Sequence, residues 1–498
     1  MIPPARAFLL IRFAVLSVLL VVISQTRADP DLWGHITFGG DTAQARGIVR
    51  VDPYSFTSDI PWTNHEWLSE IVTWAAWAAA GTAGLVLLKL LLLSTSLSVV
   101  LASIHRSLYG APALELTMLF FAFGTRRQAA TVRPQIFSLA LFALLLLVLR
   151  RADSGRWRAL LAVPVLLALW ANLHGGWIVG LGTFGLWALF RFVSPASNPA
   201  ERVRLVAIVL VSLLATLLTP YGTEMWSFLW ETVSPVRTDI QDWQPAWALE
   251  PAVLALWLAM AGGAVVYLVK CPGPRPPGHY AIVAFFAVAS LWVNRLDGFF
   301  ALSVLILLPV HRIARRQPAS GVPNASVVSA TRAQAIVVGG LAAAGIAAAL
   351  FLTGRNLRCI TMDEPWLPEP EAAHFMQQQR LDGRLLVWFD WGEYAIWHFA
   401  PHLRVSMDGR RETVYSVEMQ DAHTRFYYDQ PSGSTLPDRI GADYIWMPKH
   451  FPIVSTMAAQ GWHVAFEGAV SALLSRTPLP RLLPDRANQT ERRCFPGP

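Results

Sequence analysis

Apolar runs alternate with short polar connections over the first 353 positions and then cease. A hydrocarbon core about 30 Å thick needs about 20 apolar helical residues. That ruler predicts spans near 7–25, 84–104, 111–124, 134–150, 158–172, 176–193, 204–219, 250–270, 279–293, 297–311 and 333–353. Between the first two, Asp29-Pro30 is expected to open a short helix running to Gln44, with Asp29 as N-cap and proline in the first turn. Asp52-Pro53 reads as a turn, and a second helix starts at Asn64 with Trp67, Ile71, Trp74 and Ala78 at helical spacing. Gly81 and Gly84 interrupt it before the true span, which places it along the membrane surface.

Past Gly354 the periodicity shortens to that of a soluble α/β unit. Strands are expected at RLLVWF from Arg384, LRVSM from Leu403, DYIWM from Asp443, WHVAF from Trp462 and AVSALL from Ala469. Helices are expected near Glu369 to Gln379, Glu412 to Tyr428 and Phe451 to Gln460. The alternation favours a small, partly parallel sheet. The predicted fold is a polytopic α-helical membrane protein over residues 1–353, with surface helices in loop 26–83, followed by an extracytoplasmic α/β domain over residues 354–498.

Composition sharpens this picture. Of 498 residues, 54% are hydrophobic and only 15% charged, which is too apolar for an ordinary soluble protein. Ser24 to Asp31 lacks a small-x-small cleavage pattern, so the first run is read as a retained anchor. The net charge of +7 follows the connections and forms no nucleic-acid-binding face. Arginines such as Arg150, Arg151, Arg156 and Arg158 favour alternate loops, which puts the N-terminus on the cytoplasmic side; the expected location is a bacterial inner membrane. An odd number of spans then puts the opening loop and the chain after Gly354 on one side. Ser194 to Pro199, CPGPRPPG from Cys271 and Gln317 to Ala330 read as flexible connectors. Cys359 and Cys494 flank the α/β unit; a bridge closing roughly 130 residues would stabilise it by about 5 kcal/mol, and a frayed tail is the competing reading for Cys494.

The opening loop collects Asp29, Asp31, Asp41, Asp52, Asp59, Glu66 and Glu70. Such carboxylates serve as a general base, as metal ligands or as helix caps. Asp31 is the first candidate for chemistry, as base or as ligand of a divalent cation such as Mg or Mn, against a place in a helix first turn. Asp29, His65 and Glu66 follow. Lys89, inside GLVLLKLLLL, costs about 2.5–3.5 kcal/mol at mid-membrane, so it faces protein or snorkels to the interface. Arg126, Arg127, Arg133 and Arg295 suit bidentate phosphate binding, with lipid headgroups as the competing ligand. Asn172 and His174 are expected to cap helices across a tight turn. Asp390 beside Trp388, Trp391 and Trp397 either holds a ligand or sits on an aromatic core, and DGRR from Asp408 reads as a turn.

ADPDLWGH, with Asp31 followed by Trp33, resembles the aspartate-x-aromatic pattern in the first outer loop of the GT-C superfamily of membrane glycosyltransferases. Arg133-Pro134 resembles their arginine-proline at the fourth span, and Arg295 falls where such enzymes place an arginine on the carrier phosphate. Trp388-Phe389-Asp390-Trp391-Gly392 is similar, with two departures in five, to the motif with which oligosaccharyltransferase catalytic subunits hold an acceptor peptide. Protein mannosyltransferases are a further distant likeness. The resemblance implies a polyprenyl-phosphate- or pyrophosphate-linked sugar as donor and a saccharide, lipid or protein as acceptor. It implies catalysis at Asp31, carrier phosphate at Arg295, Arg133 and Arg126, and acceptor at Trp388, Asp390 and Trp391. Two other readings stand beside it: a transporter or lipid-handling protein without chemistry, and a membrane-anchored binding module whose working part is the α/β unit.

Overall fold

The computed structural model describes residues 4–104, 113–233, 241–270, 273–309, 332–362, 367–480 and 493–498. Cys271 and the connector Gln317 to Ala330 lie outside the described residues. In chain order the helices of the first part are α1 (Pro4–Ser24), α2 (Leu32–Ala45), α3 (Trp67–Ser103), α4 (Ala113–Gly124), α5 (Arg126–Ala130), α6 (Gln135–Asp153) and α7 (Ala162–Leu173). There follow α8 (Trp177–Phe192), α9 (Pro199–Ala215), α10 (Glu224–Val233), α11 (Pro251–Lys270), α12 (Pro277–Trp292), α13 (Asp297–Leu307) and α14 (Arg332–Arg358). A helix thus stands at each expected apolar stretch. Among the described residues four, α3, α6, α11 and α14, are long and apolar enough to cross a membrane.

The surface helix and the second span are continuous in α3, but Ala80 and Gly81 leave helical dihedrals, with Gly81 at φ +57°. The chain bends there, at the glycine that tolerates positive φ. Helices apolar all round belong at the centre of a bundle, and α13 is buried at every residue from Asp297 to Leu307.

Lys89 faces protein and is fully buried. Its ammonium carries three donors, and these meet the Gln25 carbonyl at 2.7 Å, the Thr26 hydroxyl at 2.6 Å and the Ala129 carbonyl at 2.7 Å. It therefore ties α3 to the end of α1 and to α5.

Beyond α14 come α15 (Pro370–Gln378), β1 (Gly383–Val387), α16 (Phe389–Phe399), β2 (Leu403–Val405), α17 (Val417–Tyr427), α18 (Leu436–Ile440), β3 (Tyr444–Pro448), α19 (Pro452–Ala459), β4 (His463–Glu467) and β5 (Ser471–Ser475). The sheet order is β2-β1-β3-β5-β4. β2, β1 and β3 run parallel, and β5 pairs antiparallel with both β3 and β4. One expectation is corrected: the strand from Arg384 stops at Val387, and α16 follows at once. Asp390 in its first turn suits the helix dipole, and Trp391, Tyr394, Ala395 and Phe399 are buried at helical spacing.

The opening loop and the α/β unit share one core. Trp33, Phe38 and Trp62 are buried in the same cluster as Trp391, Tyr394 and Trp446. Arg27 pairs with Thr361, Thr361 with Cys494, and Ser55 with Val405. Cys359 and Cys494 form a disulfide, and the tail beyond it inserts Phe495 against Trp33, Trp77 and Trp397.

Lys89→Met keeps the side-chain volume and strands the oxygens at Gln25, Thr26 and Ala129. Unsatisfied buried groups cost about 1–3 kcal/mol each, so the thermal midpoint of the purified protein in detergent should fall clearly. An unchanged midpoint contradicts the clamp.

Candidate functional site

α2 begins at Leu32, later than the sequence suggested, and the N-cap position falls to Asp31. Its side chain makes no capping hydrogen bond. Instead its carboxylate accepts from Arg133 Nη2 at 2.7 Å. Asp29 accepts the Asp31 backbone N–H at 3.2 Å and meets Arg133 Nε at 2.7 Å. Arg133 stands just ahead of α6 because it precedes Pro134, and a residue before proline is held off helical dihedrals. Asp242 is 3.7 Å from the same guanidinium and is also paired with Arg127.

These groups border a cavity of about 680 Å³. Arg127, Arg133 and Arg295 all line it, and the Arg295 guanidinium lies 5.0 Å from the centre of the Trp243 ring. Arg126, the neighbouring candidate, is exposed and lines none of it.

Another part of the wall carries Glu66 between two imidazoles, His65 and His174, each with Nε2 at 3.5 Å. His174 Nδ1 accepts the Gly176 backbone N–H at 2.9 Å, so Nε2 bears the proton and points to Glu66. Burial holds His174 neutral, down to about 3, against the pull of Glu66. Burial opposes charge on Glu66 as well, but the charge and hydrogen bond of His65, with His174 and His35, together outweigh it and hold the carboxyl well below its ordinary range. His35, 3.4 Å from Glu70, is raised to about 9 because the hydrogen bond to Glu70 and the nearby acids overcome burial. His174 thus takes the backbone N–H at the start of α8, in keeping with the expected cap, and also lines the cavity.

The α/β unit closes the cavity with Glu393 from α16 and with Gly409 and Arg410 from the loop after β2. A Cβ on Gly409 would lie 2.3 Å from Asp31 Oδ1, so only glycine lets this backbone come so close. Arg410 is buried between the rings of Phe38 and Trp62, each 4.7 Å away, and Tyr54 at 5.2 Å. It donates to Asp52 at 2.9 Å and to both carboxylate oxygens of Asp408. DGRR is a turn, as expected, and this one turn fastens the α/β unit to the opening loop.

Trp388 and Trp391 are placed elsewhere. Trp391 is fully buried against Trp388 and Trp446, inside the α/β core, and neither Trp388 nor Trp391 lines the cavity. Asp390 does not line it either, but burial, then the charges of Asp31 and Asp29, push its carboxyl up to about 7. Glu393 was missed by the sequence reading, where it was one acid within an aromatic segment.

For a divalent cation the donor set does not fit. Among the described residues no three His, Cys, Asp or Glu side chains converge to hold one, and the positive charge beside Asp29 and Asp31 is already that of Arg133.

A carboxyl whose pKa is higher in the folded chain than in the unfolded one stabilises the fold at low pH, and that contribution is lost as pH rises through the folded value. Asp390 should therefore make the protein progressively less stable as pH rises from about 4, where the unfolded carboxyl ionises, to about 7, where the folded one does, with little further change above that. In Asp390→Asn the midpoint, followed by tryptophan fluorescence, should be flatter over that window and higher than wild type at pH 8.

No family model matches the sequence, and no curated protein is significantly similar to it. Solved structures do resemble it. ArnT from Cupriavidus metallidurans in the apo state aligns with a TM-score of 0.56 at 14% identity, over 95% of this chain and 98% of that one. The same protein bound to undecaprenyl phosphate aligns with 0.54 at 14% identity, over 94% and 97%. The Archaeoglobus fulgidus oligosaccharyltransferase in the apo form aligns with 0.51 at 10% identity, over 88% and 69%. The chain has the fold of the GT-C membrane glycosyltransferases.

Proposed function

We propose that this protein transfers a sugar from a polyprenyl phosphate or pyrophosphate carrier to an acceptor on the outer face of a bacterial inner membrane. In this reading residues 1–353 form the membrane domain with a cytoplasmic N-terminus, and residues 354–498 form an extracytoplasmic domain. The carrying observation is one cavity that holds the Asp31 carboxylate beside the guanidinium groups of Arg127, Arg133 and Arg295. The likeness to a structure bound to undecaprenyl phosphate supports the choice of carrier.

Arg295 and Arg127 would take the carrier phosphate, since guanidinium gives bidentate contacts to phosphate oxygens. Asp31, oriented by Arg133, would accept the proton of an acceptor hydroxyl or amine. The acceptor atom then bonds to the anomeric carbon as the bond to the carrier oxygen breaks, and the phosphate leaves with the electron pair. Most of the rate gain comes from holding the reactants together and from positive charge at the leaving phosphate. Nothing is routed through a metal, because among the described residues no donor set fits one.

Asp31→Asn keeps an acceptor for Arg133, which also retains Asp29 and Asp242, so the variant should fold with a somewhat lower thermal midpoint while transfer from a polyprenyl-linked sugar falls by about 100-fold or more. Full activity in that variant removes Asp31 from the chemistry. Arg295→Ala should weaken undecaprenyl phosphate binding about 10- to 100-fold, the worth of one charge-assisted contact. Transfer should also survive EDTA; loss that Mg or Mn restores contradicts the metal-free reading.

A further inference from the structure

We infer that Glu393 is a sugar-contacting residue of this site, its carboxyl meeting a saccharide hydroxyl of the bound donor on the Oε1 side, beside Asp31. The inference rests on the sugar-transfer reading and extends it to the α/β unit.

Glu393 is 3% exposed, yet it lines the cavity. Its Oε2 is buried and has no hydrogen-bond partner among the described residues. Buried polar atoms are seldom left so, because each forfeits its bonds to water. The slot around it is built by two absent side chains. A Cβ on Gly34 of α2 would stand 2.0 Å from Oε2, and one on Gly409 would stand 3.0 Å from Oε1. The same Gly409 position faces Asp31 Oδ1, so both acids look onto one point of the cavity wall. Among the described residues no arginine bonds to Oε2, and Arg410 is committed to Asp52 and Asp408.

The two acids differ in what they offer. Burial, then the charges of Asp31 and Asp408, hold the Glu393 carboxyl well above its ordinary range, which favours its protonated form. A carboxylic acid presents one O–H donor with remaining acceptor capacity. That suits a sugar hydroxyl, which both gives and takes a hydrogen bond. A phosphate, by contrast, is served by Arg127 and Arg295 elsewhere on the wall. Glu393 would therefore read the sugar, and the basic groups would read the carrier.

The test uses the full-length protein in nanodiscs with undecaprenyl phosphate, bare or bearing glucose, mannose or arabinose. Bare carrier should bind wild type, Glu393→Gln and Glu393→Ala equally, which also shows that the variants are folded. At least one glycosylated carrier should bind wild type about 10-fold tighter than bare carrier. Glu393→Ala should lose that gain, whereas Glu393→Gln, whose amide also donates and accepts, should keep most of it. Infrared difference spectra in an Asp390→Asn background should show a protonated-carboxyl band that Glu393→Gln abolishes and that the glycosylated carrier shifts while bare carrier does not. A sugar gain that survives Glu393→Ala overturns the proposal, as does a set in which no sugar tightens binding or moves the band. Bare carrier failing to bind wild type removes the sugar-transfer reading itself, and this proposal with it.

Discussion

A single guanidinium answers carboxylates from distant parts of the chain. Arg133 meets Asp29 and Asp31 from the opening loop and Asp242 from a loop more than a hundred residues later. Removing charged groups from water is costly unless each is paired, so the three segments are held in register by the need to keep that cluster neutralised. The Arg133 guanidinium is held more firmly protonated by those acids than burial alone would allow. The cavity takes its form around this knot. Asp31 faces it because its carboxylate is bound from the side by Arg133 and caps nothing.

A second buried arginine fixes the other half of the wall. Arg410 sits within an aromatic cage from the opening loop, and its hydrogen bonds to Asp52 and Asp408 join the two parts of the chain. Cation–π contacts gain when desolvated, and here they coincide with paired charge. The disulfide between Cys359 and Cys494 and the wedge of Phe495 secure the same junction from the far end of the chain. The α/β unit is thus a wall of the cavity, and that is why an acid on α16 and a glycine after β2 come to rest beside the start of α2.

Much of this was legible in the sequence because its physics is local. The length of an apolar run marks a helix wherever it sits, and strand periodicity marked β1 to β5. The kink at Gly81 was legible for the same reason, since only backbone freedom was at issue. Failures came where a distant contact decides. At the head of α2 the helix starts two residues later than expected, and Arg133 draws both carboxylates, so Asp31 stands at the N-cap position without capping while Asp29 accepts the Asp31 N–H. Arg126 and Arg127 are adjacent in sequence, but about 100° separates neighbours on a helix, and only Arg127 reaches the cavity. The motif resemblance at Trp388 to Gly392 pointed to a ligand, while helical spacing turned Trp391 into the core. Glu393 gave no signal at all, because what marks it is two glycines, one in α2 and one after β2.

The most direct test of a carrier-phosphate cavity is a cryo-electron microscopy structure of the full chain in nanodiscs with undecaprenyl phosphate. The phosphate is expected beside the guanidinium groups of Arg127 and Arg295, with Asp31, held by Arg133, facing the side from which an acceptor enters. A phosphate bound outside this cavity, with Asp31 turned away from it, would contradict the account.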